Sequence, residues 1–535
     1  MRERGETIVG SLSATGKDLI CLAIPAGGGV VRPFAPAAEC DRFGLPDHGL
    51  YTTFSEIETP VKNDTDAVTG NIDIALGDRF TLSSVTGYRT NKESVRQDFD
   101  ASSIKFFDTL RNQKYRQFSQ ELRIVGDVTD QLNLLVGAYY FDSNYQIDQR
   151  TTLGSALTGG APAELRQYVD HSSVSYAGFA DARYKITDAL TIAVGGRYTH
   201  DKKKIFNNYG RIGALVRLSQ PNFGYQDCVQ VTGLLFPGVP AYGPASNCSG
   251  EVGVGKFTWR ANVNYELGAG KLVYASYSKG FRSGGFNGRA SGPTSLGPYQ
   301  PETVNAYEVG LKADWLDRTL RTNVALYHTE YNNKQEEIVQ PSPPGSSSPQ
   351  ETVVKNAASA RINGVELEVL AQVTRSLTFR SSAAYTDAKY KRFFNDVNGD
   401  LVPDDVSTLT LRRAPKYQWS VGFDYAHDIG AGGFEASTTL RYQSAYQTCI
   451  TPARPAIIGA VTNDPRCLTS NREDLAAQIS YALPLGSGGE VKFSLFGRNL
   501  TDNRGLAATL PVAGLFTFGA GRPPRTYGAE VAFKF

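Results

Sequence analysis

Six cysteines are the residues best placed to do chemistry: Cys21, Cys40, Cys228, Cys248, Cys449 and Cys467. They form three local pairs by spacing, Cys21 with Cys40, Cys228 with Cys248 and Cys449 with Cys467, each inside one predicted long loop. Metal ligation by these thiolates is not favoured, because no Cys-x-x-Cys or nearby His supports it. The grouping favours loop-internal disulfides formed in an oxidising compartment, with free thiols in a cytosolic chain as the alternative. Gly250 to Lys256, Gly-Glu-Val-Gly-Val-Gly-Lys, approaches a loop that could cradle phosphate. Phe257 stands where a hydroxyl should meet magnesium, and the segment leads into a strand, so no helix N-terminus faces the anion. Asp396, Asn398, Asp400, Asp404 and Asp405 resemble a calcium loop, but Leu401 replaces its turn glycine and no closing Glu follows. A solvated acidic loop is expected there, with calcium in an extracellular loop as the alternative. His48, His171, His200, His328 and His427 are scattered, without His-Glu-x-x-His or a Gly-x-Ser-x-Gly elbow. The expectation is no catalytic residue, no cofactor and no metal.

The elements that would position these residues repeat from end to end. In the last of them Tyr527, Ala529, Val531, Phe533 and Phe535 share one face, and Thr526, Gly528, Glu530, Ala532 and Lys534 share the other. Between Thr303 and Trp315 the same period sets Tyr307, Val309, Leu311, Ala313 and Trp315 against Glu308, Gly310, Lys312 and Asp314. Such stretches, of about ten residues each, pair near 64–89, 115–145, 173–198, 256–281, 303–331, 362–390, 418–442 and 474–499, and a single strand follows. Turns inside the pairs are short and rich in Gly, Asp and Ser, as at Gly77-Asp78, Thr187-Asp188 and Asp317-Arg318. Connections between pairs are longer. That segregation suits an all-β, transmembrane, antiparallel up-and-down barrel with short periplasmic turns and long extracellular loops.

The bulk numbers agree with this class. No apolar run is long enough for a membrane-spanning helix, and mean hydropathy is −0.29. A barrel escapes that test because its strands are apolar on one face only. A formal charge of +2 gives no reason to expect nucleic acid as a partner. About 17 strands, with a weak one in the first residues, exceed the roughly 8 of a barrel filled by its own side chains. Glu308, Lys312 and Asp314 are therefore expected to face the lumen, since a Lys at the lipid midplane costs about 2–4 kcal/mol. Tyr139, Tyr140, Phe141 and Tyr145 are expected at an interfacial aromatic girdle. Met1-Arg2-Glu3-Arg4 does not begin a secretory leader, so the sequence is expected to start inside a longer protein.

Several segments together resemble the β-barrel domain of TonB-dependent outer-membrane receptors. They are Val273-Tyr-Ala-Ser-Tyr-Ser-Lys-Gly-Phe-Arg-Ser-Gly-Gly-Phe286, Tyr299-Gln-Pro-Glu-Thr-Val-Asn-Ala-Tyr-Glu-Val-Gly-Leu-Lys312, Asn363-Gly-Val-Glu-Leu-Glu368, Phe496-Gly-Arg-Asn-Leu-Thr-Asp502, and Gly521-Arg-Pro-Pro-Arg-Thr-Tyr-Gly528 through Phe535. The resemblance covers 64–535, and Leu82-Ser-Ser-Val-Thr-Gly-Tyr-Arg89 with Ser119-Gln-Glu-Leu-Arg123 is similar to the branch associated with iron complexes. It implies a barrel of about 22 strands closed by an N-terminal plug, with a coupling box pulled by TonB. This sequence departs from that pattern: about 17–18 strands are present, no plug or coupling box is found, and residues 1–63 read as a partial strand and extracellular loop.

The resemblance implies uptake of a bulky, scarce ligand, a ferric siderophore or similar iron complex, at the Gram-negative outer membrane. Implied partners are that ligand, the TonB complex through the N-terminal region, outer-membrane lipid, and the barrel-assembly machinery through the terminal Phe535; a monomer is expected. Candidate ligand contacts, by position, are Arg282, Phe286, Asn287 and Arg289, together with Tyr299. A cationic and aromatic cluster suits an anionic catecholate or carboxylate ligand. The structural alternative is that Gly280 to Gly288 only shapes a strand end and loop. The alternative functions are a passive channel, a phage or toxin receptor, or a receptor for cobalamin or carbohydrate.

Overall fold

The computed structural model describes the chain apart from residues 1, 7–9, 15–17, 22, 26–30, 34, 43–48, 155–161, 212–227, 232–244, 291–294, 342–349, 397–401, 451–462, 487 and 513–514. His48, Asn398, Asp400 and Leu401 thus lie outside the described residues, as does the Cys228 side chain. Alternation of apolar and polar residues gives strands, and no α-helix occurs among the described residues. The first hairpins are Pro60–Leu76 (β1) with Phe80–Asp98 (β2), Phe107–Asp127 (β3) with Leu132–Leu153 (β4), and Ala163–Lys185 (β5) with Leu190–Arg211 (β6). Next come Ala245–Gly268 (β7) with Lys271–Arg282 (β8), Glu302–Trp315 (β9) with Leu320–Pro341 (β10), and Gln350–Gln372 (β11) with Leu377–Asn395 (β12). Tyr417–Ile429 (β13) with Gly432–Gln443 (β14), Arg472–Pro484 (β15) with Glu490–Arg498 (β16), and Thr526–Lys534 (β17) complete the series.

Each strand pairs antiparallel with its neighbour in the chain, from β1 to β17. Arg2–Glu6 adds a short strand against the start of β1, with Arg2 opposite Asp64. The expected hairpin order is therefore the observed one. Strand length is not. β2 to β7 run 19 to 24 residues, whereas a tilted bilayer crossing needs about 9–11. The excess continues as paired hairpin beyond the lipid, where polar side chains on both faces hide the ends of the strands from a hydropathy reading.

The apolar face is the outward one. Val194, Val309, Leu326, Leu367, Phe493 and Val531 are exposed large hydrophobics there. On the loop side they are bordered by exposed Tyr88, Tyr140, Tyr176, Tyr198, Trp259 and Tyr307, and on the turn side by Tyr265, Trp315 and Tyr425. Neighbouring belt rings touch across strands, Trp259 with Tyr277 at 4.4 Å and Tyr277 with Tyr307 at 5.0 Å between centroids. Tyr140 belongs to this belt, but Tyr139 and Tyr145 do not, which corrects the girdle expected from their clustering. Period-two alternation forces residues 139, 141 and 145 onto the opposite face from 140. Tyr139 lies beneath the Arg197 guanidinium at 5.4 Å, and Tyr145 stacks on His171.

On the polar face, Glu308 accepts a 2.5 Å hydrogen bond from the Tyr274 hydroxyl, and Lys312 sits 5.5 Å from the Tyr274 ring. Arg260 reaches Asp181 over the intervening strand at 2.8 Å. That crossing requires Gly195, since a Cβ there would come within 2.2 Å of an Asp181 oxygen. The Gly250 to Lys256 stretch lies wholly within β7, with strand geometry throughout.

Above the belt the loops carry their own packing. Leu506–Val512, Phe516–Gly521 and Gly10–Ser11 make a three-stranded sheet that the sequence reading does not contain. Beside it Ile20, Cys21, Phe106, Val512 and Phe516 form a buried cluster. Cys21 is bonded to Cys40, and Cys449 to Cys467. Cys248 is disulfide-bonded as well, and the backbone register sets Cys228 directly opposite it.

Candidate ligand-binding site

β8 ends at Arg282 and β9 begins at Glu302, and the connection between them turns inward instead of rising with the hairpin. Four side chains hold it against both walls. The Lys203 ammonium on β6 donates to the Gly284 carbonyl at 2.7 Å, and the Gln167 amide on β5 donates to the Gly288 carbonyl at 2.6 Å. From the other side the Gln335 amide on β10 donates to the Ser283 and Gln300 carbonyls at 3.1 and 3.0 Å. Asn356 on β11 accepts from the Gln300 N–H at 2.6 Å and donates to its carbonyl at 2.7 Å. A two-residue bridge between Gly285 and Tyr299 closes the base of the loop.

The five candidate residues separate into two groups. Phe286 is buried, packed with Val169, Ile205, Cys248, Ala290 and Leu296. Asn287 is buried too, and its side chain is committed to backbone: the amide donates to the Ser295 carbonyl at 2.8 Å, and its oxygen accepts from the Val354 N–H at 2.7 Å. These two residues shape the loop. Arg282 and Arg289 are exposed at its surface, and Tyr299 is half-buried beside them. Arg282 faces Glu302 across the β8–β9 pair and its charge reaches both Lys203 and Tyr299. Arg289 pairs with Glu337 at 2.6 Å, and both partners are well exposed.

Three further residues complete the group and were not found in the sequence: Tyr145, His171 and Lys203. Tyr145 and His171 are direct partners across β4 and β5, their rings stacked at 4.9 Å. All three lie beyond the aromatic belt, five residues past Tyr140 or Tyr198 and five short of Tyr176 on the descending strand. Burial pushes the His171 pKa down to about 4, reinforced by the Lys203 charge and opposed by Asp170, so the ring is neutral at ordinary pH. Burial also lowers the Lys203 pKa and raises those of Tyr145 and Tyr299. The result is an inward-facing cluster of cations and phenol rings. Such a surface can attract an anion, stack on a planar ring and donate several hydrogen bonds.

The long-stranded up-and-down sheet is a fold shared with known proteins. The family described as TonB dependent receptor-like, beta-barrel, matches residues 28–465. The chain belongs to this family. TonB-dependent receptor barrels reside in the outer membrane and serve as receptors and transporters, and this chain is an outer-membrane β-barrel protein. It is 32% identical over 210 residues to the ferrichrome outer membrane transporter/phage receptor of Escherichia coli, covering 39% of this chain and 24% of that protein. It is 24% identical over 294 residues to the ferric-pyoverdine M114 receptor of a Pseudomonas species, covering 54% of this chain and 29% of that protein. These alignments thus span about a quarter of the relatives' own length. The crystal structure of the ferric yersiniabactin uptake receptor of Yersinia pestis shares the fold, with a TM-score of 0.67 at 14% identity, over 89% of this chain and 62% of that one.

Proposed function

We propose that this chain is the barrel of an outer-membrane receptor for TonB-energised uptake of a ferric siderophore. The carrying observation is the mouth cluster, Lys203, Arg282 and Arg289 with Tyr145 and Tyr299, on the inward face of a barrel of this family. Ferric catecholates present the negative charge and flat rings that such a surface holds, and ferric complexes with excess carboxylate present the charge. The relatives named for ferrichrome and ferric pyoverdine support the same class of ligand. Residues 64–535 supply the barrel in this reading, and residues 1–63 a strand and extracellular loop. A plug and TonB supply gating and energy, as the resemblance to the receptor family implies. No bond is made or broken, so the protein acts as a receptor and not as an enzyme. Outer-membrane lipid contacts the apolar band, and the C-terminal Phe535 addresses the assembly machinery.

The test is equilibrium binding of ferric catecholate, hydroxamate and carboxylate complexes to the purified chain in detergent, read by quenching of intrinsic fluorescence. At least one ferric complex is expected to bind more tightly than its iron-free chelator. The Lys203→Ala and Arg282→Ala double variant is expected to lose about tenfold or more in affinity, the equivalent of about 1.4 kcal/mol. Equal binding by native and double-variant protein would show that the mouth cluster does not hold the ligand.

A further inference from the structure

The tip of the β2–β3 hairpin holds an arrangement that uptake does not explain. Its last paired rung sets Asp98 directly opposite Asp108. Like charges facing each other across a strand pair are destabilising by themselves. A third carboxylate arrives from the segment before β1: oxygens of Glu56, Asp98 and Asp108 all lie within 4.8 Å of one another. Asp98 is 1% exposed and Asp108 5%.

One Asp98 oxygen accepts from the Ala101 N–H at 2.9 Å. Its other oxygen, Oδ2, and Asp108 Oδ1 are fully buried and have no hydrogen-bond partner among the described residues. Two buried, unsatisfied carboxylate oxygens converging with a third carboxylate constitute a large desolvation cost unless something positive sits between them. Asp100, wholly buried next to them, adds no charge near neutral pH, because burial and the Asp98 charge push its pKa up to about 9, and its oxygens are occupied by Ser102 and by the Phe107 N–H at 2.7 Å. Lys105 and Arg96 are the cations whose charges reach Asp108.

We propose that Glu56, Asp98 and Asp108 form a binding site for a divalent cation of the calcium class, which fastens the segment before β1 to the tip of the β2–β3 hairpin. The donor set is all oxygen, with neither His nor Cys, which selects a hard cation over zinc or copper. Calcium accepts irregular coordination completed by water, and the exposed Glu56 leaves a route by which ion and water enter. The site lies ten residues past Tyr88 of the belt, in the extracellular loop region and beside the buried cluster around Phe106 and Phe516. Without a cation, burial and the neighbouring negative charges raise Glu56 to about 7 and Asp98 and Asp108 to about 6. Protons and the cation therefore compete for the same oxygens. The expectation of no metal drawn from the sequence missed these three residues because they are 42 and 10 positions apart and share no motif.

Calorimetric titration of calcium chloride into the chelator-treated chain, in detergent above neutral pH, tests the site. One binding event is expected, weakening as pH falls through about 7 to 6. Calcium is also expected to protect 52–60 from proteolysis. Asp108→Asn should abolish the event, and Glu56→Gln, at an exposed position that leaves the buried pair in place, should weaken it by about tenfold or more. Folding of each variant is read independently from circular dichroism and heat-modifiable gel mobility, so Glu56→Gln keeps the test decisive if Asp108→Asn does not fold. Absence of calcium heat at millimolar concentration in the folded native chain overturns the proposal, and so does unchanged affinity in folded Glu56→Gln.

Discussion

His171 lies flat against Tyr145 with Lys203 behind it, and a proton on its ring would be both desolvated and repelled. A pKa held near 4 in the folded chain, against an ordinary 6.5, means that the unfolded state binds the extra proton first as pH falls. The stabilising contribution is thus complete above about pH 6.5 and disappears as pH drops through the folded value near 4. Amide exchange in the 283–290 loop and the adjoining tips of β5 and β6 should accelerate as pH falls through this window. His171→Gln should remove most of that dependence, and an unchanged profile would show that the ring is not the responsible group. Residues of this kind were only half legible in the sequence. Arg282, Arg289 and Tyr299 stand out because they lie in one short segment, but Tyr145, His171 and Lys203 come from three different strands. Only the cross-strand register, Tyr145 opposite His171 and His171 opposite Ile205, brings them together.

At the scale of elements, the barrel strands were readable because lipid imposes one rule on every crossing, an apolar side chain at each outward position. The loop structures obey no such rule. Arg466 is bonded to Asp18 and, at 2.7 Å, to Asp464, with all three side chains buried. Asp18 also accepts from the Thr517 hydroxyl at 3.1 Å. One guanidinium thereby ties the N-terminal segment, the Cys449–Cys467 loop and the three-stranded sheet into a single cap. Asp18 and Arg466 are 448 residues apart, and no local pattern announces their meeting. Arg466→Ala would leave two buried carboxylates without their partner, a loss of about 3–5 kcal/mol. The expected signature is faster amide exchange in 10–21 and 516–521, with the strands below the belt unaffected. Equal protection in the two proteins would mean that the cap is held by its apolar cluster alone.

For the whole molecule, the alternation that identified the strands also sets which face meets lipid. Val309 points outward between the Tyr307 and Trp315 belts, whereas Ser276 shares the inward face with Glu308. Val309→Lys, between interface and midplane, should destabilise the inserted barrel by about 1–2 kcal/mol, while Ser276→Lys should change it by about 0.5 kcal/mol or less. Reversible unfolding from lipid vesicles in denaturant measures both, and similar losses at the two positions would invert the assigned faces.

Energised uptake of a ferric siderophore by this barrel is measured by transport in living cells. The full-length gene encoding this barrel would be expressed in an iron-starved Gram-negative host lacking its own siderophore receptors, with and without TonB, and offered radioiron complexes. Accumulation of at least one ferric siderophore is expected, stopping when TonB is deleted and falling when Lys203 and Arg282 are replaced by Ala. Uptake that continues without TonB would contradict energised uptake and describe a passive channel; a correctly inserted barrel that imports none of the complexes would contradict it too.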